Sequence, residues 1–517
     1  MTDAIAAYQA REFGTFQDLV ALQAAAHPDA PAIICDDRRI DYRDLDALAD
    51  RVAAGLQRDG VKPRDVVAIC AASSIDYAAV FIGTLRSGAA ISPLSPASTP
   101  EQLRAMLADS GATHLFADRQ VSEHLRAVAP SLACRRVALE AGADGAAWAE
   151  WLPTAGARPQ PVAIEPDQAF NIIYSSGTTG TPKGIVQPYA MRWYHVGRLG
   201  GYGPGSVTMI STGLYSNTTL VCFLPALATG GTMVLMPKFD ARRFLELSER
   251  YRANYAMLVP VQYRRILDVP DFDRFDLSSY IMKFCTSAPF SAELKAEVLR
   301  RWPGGLIEWY GMTEGGGSCQ LIAHEHPDKL HTVGRPMDGH DMRIIDAAGH
   351  RAAPGQVGEV VGRSLAMMNG YHNKPEQTAE AEWYSPEGER FIRTGDLASM
   401  DEDGFVTLIG RKKDMIISGG INIYPVDLEA ALKEHPAVRE AAVVGAPSRE
   451  WGETPVGFVT LAAGANAAGE ELRQFANARL GKMQRLSRVE VIDELPRSAI
   501  GKILKRELTD RLAVETL

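Results

Sequence analysis

Cysteine is scarce in this chain and never paired. Six thiols (Cys35, Cys70, Cys134, Cys222, Cys285 and Cys319) are scattered singly along 517 residues, with no C-x-x-C among them. That pattern excludes a zinc ribbon or a disulfide framework and suits a reducing compartment, so a cytoplasmic location is expected. There is no extended basic tract, and the net charge is −9. This argues against a nucleic-acid surface and against an anionic-membrane footprint. The first residues carry acids early and no long apolar core, unlike a signal peptide. Charge itself is missing between Leu199 and Pro237. Asn217, Thr218, Thr219, Pro225, Gly230 and Gly231 interrupt that stretch, so it reads as a buried helix ("TTLVCFLPALATGG") and a buried strand ("TMVLM") and not as a membrane span.

The length calls for two or more domains. Over the first four hundred residues short β-branched runs ("PAIIC", "VVAIC", "AAISPL", "FNIIY") alternate with helical stretches ("YRDLDALADRVAAGLQRDG", "PEQLRAMLADSG"). Alternation of this kind predicts a mostly parallel α/β sheet. Residues 135–165 are Ala-rich and loop-like. The tail differs: "GRKKDMIISGGINIYPVDLEAALKEHPAVREAAVVGAP" reads strand, turn, strand, helix, strand, and the end reads strand, loop, helix. The expected division is therefore a large α/β domain over 1–410 and a small α+β domain over 411–517.

One stretch, "YSSGTTGTPKG" (Tyr174 to Gly184), concentrates glycines and hydroxyls around a single lysine, directly after the strand "AFNIIY". Such backbone approaches an anion closely, hydroxyls donate to phosphate oxygens, and Lys183 adds a point charge. It is not a Walker A motif, which wants Gly before Lys and Ser or Thr after it. A flexible linker is the competing reading.

The stretch resembles the signature loop of the adenylate-forming enzymes: acyl- and aryl-CoA synthetases, adenylation domains and beetle luciferases. "WYGMTE" (309–314), "RTGDLA" (393–398), "GRKKDMIISGGINIYP" (410–425) and "PRSAIGKILK" (496–505) extend the resemblance, in the family's order, across essentially the whole chain. The resemblance implies a large multi-sheet α/β N-terminal domain and a small mobile C-terminal one, pivoting at Lys413. It implies ATP and Mg²⁺, with Ser175, Ser176, Gly177, Thr178, Thr179, Gly180, Thr181 and Lys183 holding the β,γ-phosphates.

In "EWYGMTEGGGS" a flat aromatic can stack on a purine, a hydroxyl can meet a phosphate, and a carboxylate is a hard ligand for Mg²⁺. The resemblance makes these Tyr310, Thr313 and Glu314, with Glu308, Trp309 and Gly311 around them. It puts Ser287, Ala288 and Pro289 on the other adenine edge, with serine where the family commonly has glycine. Asp396 in "TGD" can accept both hydroxyls of a ribose diol; the resemblance gives it that role, supported by Arg411. Lys502, read locally as an ordinary lysine before a helix, is by resemblance the catalytic cation of the first step. Ser418, Gly419 and Gly420 would line the pantetheine tunnel. Trp451 and Arg485 stand where aryl-CoA ligases contact the CoA nucleotide.

The expected reaction is ATP-dependent activation of a carboxylic acid to an acyl-adenylate, then thioester formation on coenzyme A. A stand-alone enzyme loading a carrier protein is the alternative acceptor reading, and a degenerate nucleotide sensor the non-enzymatic one. The acyl pocket falls on Tyr215, Ser216 and Asn217. Gly315, Gly316 and Gly317 would leave it deep, for an aromatic or functionalised medium-length acid. No aspartate stands near 211–220 to pair an α-ammonium. Arg192 and Arg198 read as solvated arginines, with receipt of a second carboxylate the lesser reading. Homodimers are common in the family, though no segment shows an interface.

Overall fold

The computed structural model describes residues 2–175, 182–198, 201–418, 421–448, 451–481, 484–498 and 501–514, with the backbone alone for Thr2, Asp3, Gly197, Arg198, Asn422, Ala513 and Val514. The chain divides into two compact units. The first comprises Met1–Leu330, Pro336–Met342 and Gly362–Ile392; the second comprises His331–Arg335, Arg343–Val361 and Arg393–Leu517.

The apolar runs become the middle strands of parallel sheets, where both faces are covered and no alternation is needed. In the first unit, Pro31–Cys35, Thr232–Leu235, Val207–Ile210, Tyr255–Leu258, Met282–Cys285 and Gly305–Tyr310 lie side by side, all parallel. Antiparallel strands close the two sides of that row. A second, eight-stranded sheet carries Val66–Cys70, Ala90–Pro93, His114–Ala117 and Ala169–Ser175. Helices such as Tyr42–Arg58 and Pro100–Ser110 intervene, the latter opened by a Thr99–Gln102 capping box and closed by Gly111 in the left-handed region. The uncharged stretch folds as expected, into helix Asn217–Ala228 and strand Thr232–Leu235, both buried. No helix among the described residues is long and apolar enough to cross a membrane. All six cysteines are free and buried.

Residues 135–165 are more ordered than their composition suggests. Helix Trp148–Trp151 stacks two indoles 5.8 Å apart against Phe116, and Arg51 and Arg58 donate to the carbonyls of Pro153 and Trp151. Two tryptophans supply an apolar anchor that an alanine count hides.

In the second unit, strands Arg390–Met400 (from Arg393 on) and Val406–Arg411 pair antiparallel, with Asp396 opposite Arg411. Beyond them Ile416–Ser418, Gly452–Leu461, Val438–Ser448 and Arg488–Val491 form one sheet. Helices Pro425–Lys433 and Gly469–Asn477 bring Leu428, Leu432 and Leu472 into its core. The fold is thus a large multi-sheet α/β body with a smaller, β-rich C-terminal body.

Candidate functional site

Loops that leave the carboxyl ends of parallel strands are the usual ligand sites of open α/β sheets. Three of the first unit's loops do so: 211–216 after Val207–Ile210, 286–290 after Met282–Cys285, and 311–318 after Gly305–Tyr310. They hold Tyr215, Ser216, Ser287, Ala288, Pro289, Gly311 and Gly315–Gly317 of the acyl- and adenine-site positions named from sequence, while Asn217 opens the following helix and Glu308, Trp309 and Tyr310 end the strand itself.

The stretch expected to bind phosphate is framed by a hairpin. Ser175 ends one strand and pairs with Lys183, which begins the next. Ser176, Gly177, Thr178, Thr179, Gly180 and Thr181 lie outside the described residues. The Lys183 ammonium stands 5.0 Å from the ring centroid of Tyr371. Tyr371 donates its hydroxyl to Glu314 Oε1 at 2.8 Å. Burial and then the Glu314 charge push the phenol well above its ordinary pKa. Tyr371 therefore stays protonated and orients the carboxylate. Its neighbour Thr313 is fixed through its backbone, whose carbonyl accepts from Gln187 Nε2 at 2.6 Å. Among the described residues no cluster of three metal-ligating side chains occurs. A single oriented carboxylate still fits Mg²⁺, which keeps several waters and is completed by substrate phosphates.

On the proposed adenine side, Trp309 stacks on Phe284 with centroids 4.7 Å apart and planes 10° from parallel and packs against the core, which fixes the end of strand Gly305–Tyr310 just before Gly311. Ser287 sits at φ 81°. This left-handed conformation is one that glycine adopts freely and a serine does not. Its hydroxyl is held against Thr218 Oγ1, which ties the adenine loop, with Ala288 and the exposed Pro289, to the helix bordering the acyl segment. The Glu308 side chain lies in the interior instead, ion-paired with buried Lys295. What this position has left to offer adenine is its backbone. Burial outweighs the lysine and pushes the Glu308 carboxyl up to about 7.

The acyl segment is tightly built. Gly213 lies under the Tyr215 ring, where an added Cβ would fall 2.3 Å from Cε1. Ser216 is buried at the start of helix Asn217–Ala228. The glycines after Glu314 serve a close backbone approach. A Cβ would fall 2.0 Å from the Ala366 carbonyl oxygen at Gly315, 2.7 Å from that of Gly362 at Gly316, and 2.0 Å from Met342 Sδ at Gly317. What their missing side chains make room for is the 362–366 backbone and a thioether, so these contacts lend no depth to the pocket.

Arg192 departs most from its sequence reading. It is 1% exposed, not solvated. Its Nε donates to Asn171 Oδ1 at 3.0 Å, and its Nη2 to Asn217 Oδ1 at 2.9 Å and to Gln187 Oε1. The side chain of Arg198 lies outside the described residues.

The second unit assembles its own group. Arg411 Nε meets Asp396 Oδ1 at 2.7 Å, and Arg411 Nη1 donates to the Thr394 carbonyl at 3.1 Å. The Thr394 hydroxyl accepts from the Asp396 N–H at 3.0 Å. An ion pair this open to water contributes at most about 1 kcal/mol, so its value lies in aiming the aspartate. Lys502 stands close enough to feel the charges of Arg411, Asp396, Lys413 and Asp414. A tight turn presents it: Ser498 N–H donates to the Lys502 carbonyl at 2.8 Å, Lys502 N–H to Ser498 Oγ at 3.2 Å, and Arg497 Nη1 to the Gly501 carbonyl at 2.7 Å. Although the side chain has an exposed surface, lost hydration, first, and the Arg411 charge, second, hold the ammonium's pKa below its ordinary value.

Ser418 is buried, while Gly419 and Gly420 lie outside the described residues. Trp451 and Arg485 are both exposed, and Lys413 is exposed in the turn after Arg411. Sequence reasoning missed Tyr371 and Gln187. A polar residue inside the strand "KGIVQP" is itself a signal, since buried amides are rarely without a task.

Comparison with known proteins identifies the family. A model described as "AMP-binding enzyme" matches residues 20–372, and one described as "AMP-binding enzyme C-terminal domain" matches residues 427–502. A fatty acid–[acyl-carrier-protein] ligase, ScoC, of Streptomyces coeruleorubidus is 32% identical over 512 residues and 96% of each chain. A feruloyl-CoA synthase of Amycolatopsis sp is 32% identical over 497 residues, 95% of this chain and 97% of its own. The crystal structure of ATP-bound MatB from Rhodopseudomonas palustris superposes with a TM-score of 0.85 at 27% identity, over 96% of this chain and 98% of that one. With both models matched in order, the chain belongs to the family of AMP-binding, adenylate-forming enzymes.

Proposed function

We propose that this protein is an AMP-forming carboxylic acid–CoA ligase, acting in the cytoplasm on an aromatic or functionalised medium-length acid. The observation that carries the reading is the grouping of Lys502 with the Asp396–Arg411 pair, in a chain similar over its length to a CoA-thioester-forming relative. A carboxylate is a poor acyl donor because its oxygen leaves badly. Attack of that oxygen on the α-phosphorus of ATP expels pyrophosphate and makes AMP the leaving group for a thiol. Both steps are matters of positioning and charge.

In this reading the 175–183 hairpin and Lys183 hold the β,γ-phosphates. Tyr310, Trp309, Gly311 and the 287–289 loop frame adenine with the Glu308 backbone, and Asp396 takes the ribose diol with Arg411 aiming it. Glu314, oriented by Tyr371, would hold Mg²⁺, which neutralises phosphate charge when bound. Lys502 offsets the charge that builds between carboxylate and α-phosphate. Rotation about Lys413, at a domain boundary near residues 410–411, would then withdraw Lys502 and present the 418–420 segment to the pantetheine thiol, with Trp451 and Arg485 on the CoA nucleotide. Tyr215, Ser216 and Asn217 border the acid. A carrier protein is the second acceptor reading, favoured by the similarity to ScoC.

The test is ATP- and Mg²⁺-dependent pyrophosphate release over a panel of aryl, fatty and dicarboxylic acids, with and without CoA. Multiple turnovers that require CoA are expected. Release that stops at one equivalent per enzyme, indifferent to CoA, would sink the CoA reading and turn the search to a carrier protein.

A further inference from the structure

One guanidinium and three amides are bonded together in the interior of the first unit. Arg192 Nε donates to Asn171 Oδ1 at 3.0 Å, and Nη2 donates to Gln187 Oε1 and, at 2.9 Å, to Asn217 Oδ1. Asn171 and Gln187 are fully buried, and Asn217 is half-buried. The guanidinium lies over the Phe170 ring, 5.8 Å from its centroid. Burial lowers its pKa to about 9, which still leaves it charged at neutral pH.

A guanidinium carries donors only, so it dictates which end of each amide faces it. Gln187 Oε1 accepts from Arg192 and from Asn171 Nδ2 at 2.8 Å. That turns Gln187 Nε2 the other way, where it donates to the Thr313 carbonyl at 2.6 Å and reaches Asn217 Oδ1 at 3.4 Å. Charge-assisted bonds inside a buried network hold such an arrangement firmly.

The strand Lys183–Pro188 sets these contacts in a row. Lys183, Ile185 and Gln187 share one face, and Val186 packs into a different cluster on the other. Along that face the Lys183 ammonium stands beside Tyr371, Ile185 clusters with Met368 and Met312, and Gln187 holds Thr313. The same turn is bound by the Met368 N–H to the Glu314 carbonyl and by the Gly316 N–H to the Ala366 carbonyl, both at 2.9 Å.

We infer that Gln187, locked by Arg192, is a positioning residue for acid activation: it ties Asn217, the first residue of the acyl helix, to the Thr313–Glu314 turn, and so sets the spacing at which acid and α-phosphate meet. The inference rests on the acid-activating reading above and deepens it. Attack on phosphorus tolerates little misplacement, and an error of about 1 Å costs about 100-fold in rate. Once acid and phosphate are joined in the adenylate, that spacing is no longer needed.

The experiment uses Gln187→Glu and Arg192→Lys, with melting temperatures to confirm folding. Gln187→Glu keeps the oxygens that face Arg192 and Asn171 and adds a counter-charge, but a carboxylate has no hydrogen for Thr313. Arg192→Lys keeps the charge and loses the planar fork. Two rates are compared with wild type: pyrophosphate release at saturating ATP and acid, and thioester formation from CoA and the supplied acyl-adenylate. Release is expected to fall about 100-fold in Gln187→Glu and less in Arg192→Lys, with the KM values for ATP and acid and the thioester rate little changed. An equal loss in both rates, or an unchanged release in the folded variants, would overturn the inference. Should Gln187→Glu not fold, Arg192→Lys decides by the same two rates. Should wild type not use CoA, the first step decides alone: lower kcat at constant KM upholds the role, and raised KM at constant kcat ends it. If no acid releases pyrophosphate from wild type, the acid-activating reading falls by itself. Amide hydrogen exchange of residues 311–318 then decides: faster exchange confined to that segment in Gln187→Glu upholds the tie, and unchanged exchange ends it.

Discussion

Lys502→Ala is expected to slow acyl-adenylate formation about 100- to 1,000-fold, the usual cost of removing one preorganised group from a developing charge. The fold should tolerate the change. The turn that presents Lys502 is closed by its backbone, through the Ser498 N–H and the Ser498 hydroxyl, and alanine keeps both bonds. Pyrophosphate release should therefore collapse while the melting temperature holds. Thioester formation from supplied acyl-adenylate should suffer far less, because the charge being offset belongs to the first step. The pH profile carries a second signature. Lys502 acts as a cation, and both its lost hydration and Arg411 hold its pKa below the ordinary 10.5. The wild-type rate of the first step should fall on an alkaline limb beginning below that value. Lys502→Arg, which does not deprotonate, should be slower yet lose the limb. An unchanged limb in Lys502→Arg would assign it to another group.

Lys295→Met is expected to destabilise the first unit by about 3–5 kcal/mol at pH 8, since it strands the Glu308 carboxylate in the interior. The pair is buried on both sides, at 1% and 5% side-chain exposure. The Lys295 ammonium also donates to the Leu330 carbonyl at 2.8 Å. Even with its partner, the Glu308 carboxyl is pushed up to about 7 from 4.5. A carboxyl raised in the folded state takes up its proton there first, so its contribution to stability is most favourable below 4.5 and is lost as pH rises through the folded pKa. Without Lys295 that folded pKa moves higher still. The deficit of the variant should therefore shrink at pH 6 and widen at pH 8, as read by denaturant unfolding at both. Lys295→Met with Glu308→Leu should recover most of it, because replacing both partners leaves no orphan charge. A deficit independent of pH would show that lost packing, and not the stranded charge, is what matters.

Much of this architecture is legible because buried parallel strands need apolar β-branched runs, and those runs are visible by eye. "VVAIC" and "FNIIY" fell where the strands Val66–Cys70 and Ala169–Ser175 lie. The functional loops are legible for a related reason: glycine, threonine and aspartate beside strand ends have few structural uses. The electrostatic interior is not legible in this way. Arg192 looks like any arginine on a helix, and its burial depends on three amides converging from a strand, its antiparallel neighbour and a later helix. Glu308 alternates along its strand toward Lys295, a pairing no local pattern predicts. The run Gly315–Gly317 shows that a missing side chain admits a backbone as readily as a ligand.

The six interior thiols bear on how the reaction can be watched. Burial pushes Cys35 up to about 11 and Cys222 and Cys319 up to about 12, and it raises Cys70, Cys134 and Cys285 as well. A disulfide dye attacks thiolates it can reach, so the native protein is nearly silent to one. In a reaction mixture the dye then counts unreacted CoA, free of background from the enzyme. With CoA left out, any slow rise in colour counts molecules that have come apart, so one reagent serves as both a substrate meter and an unfolding clock.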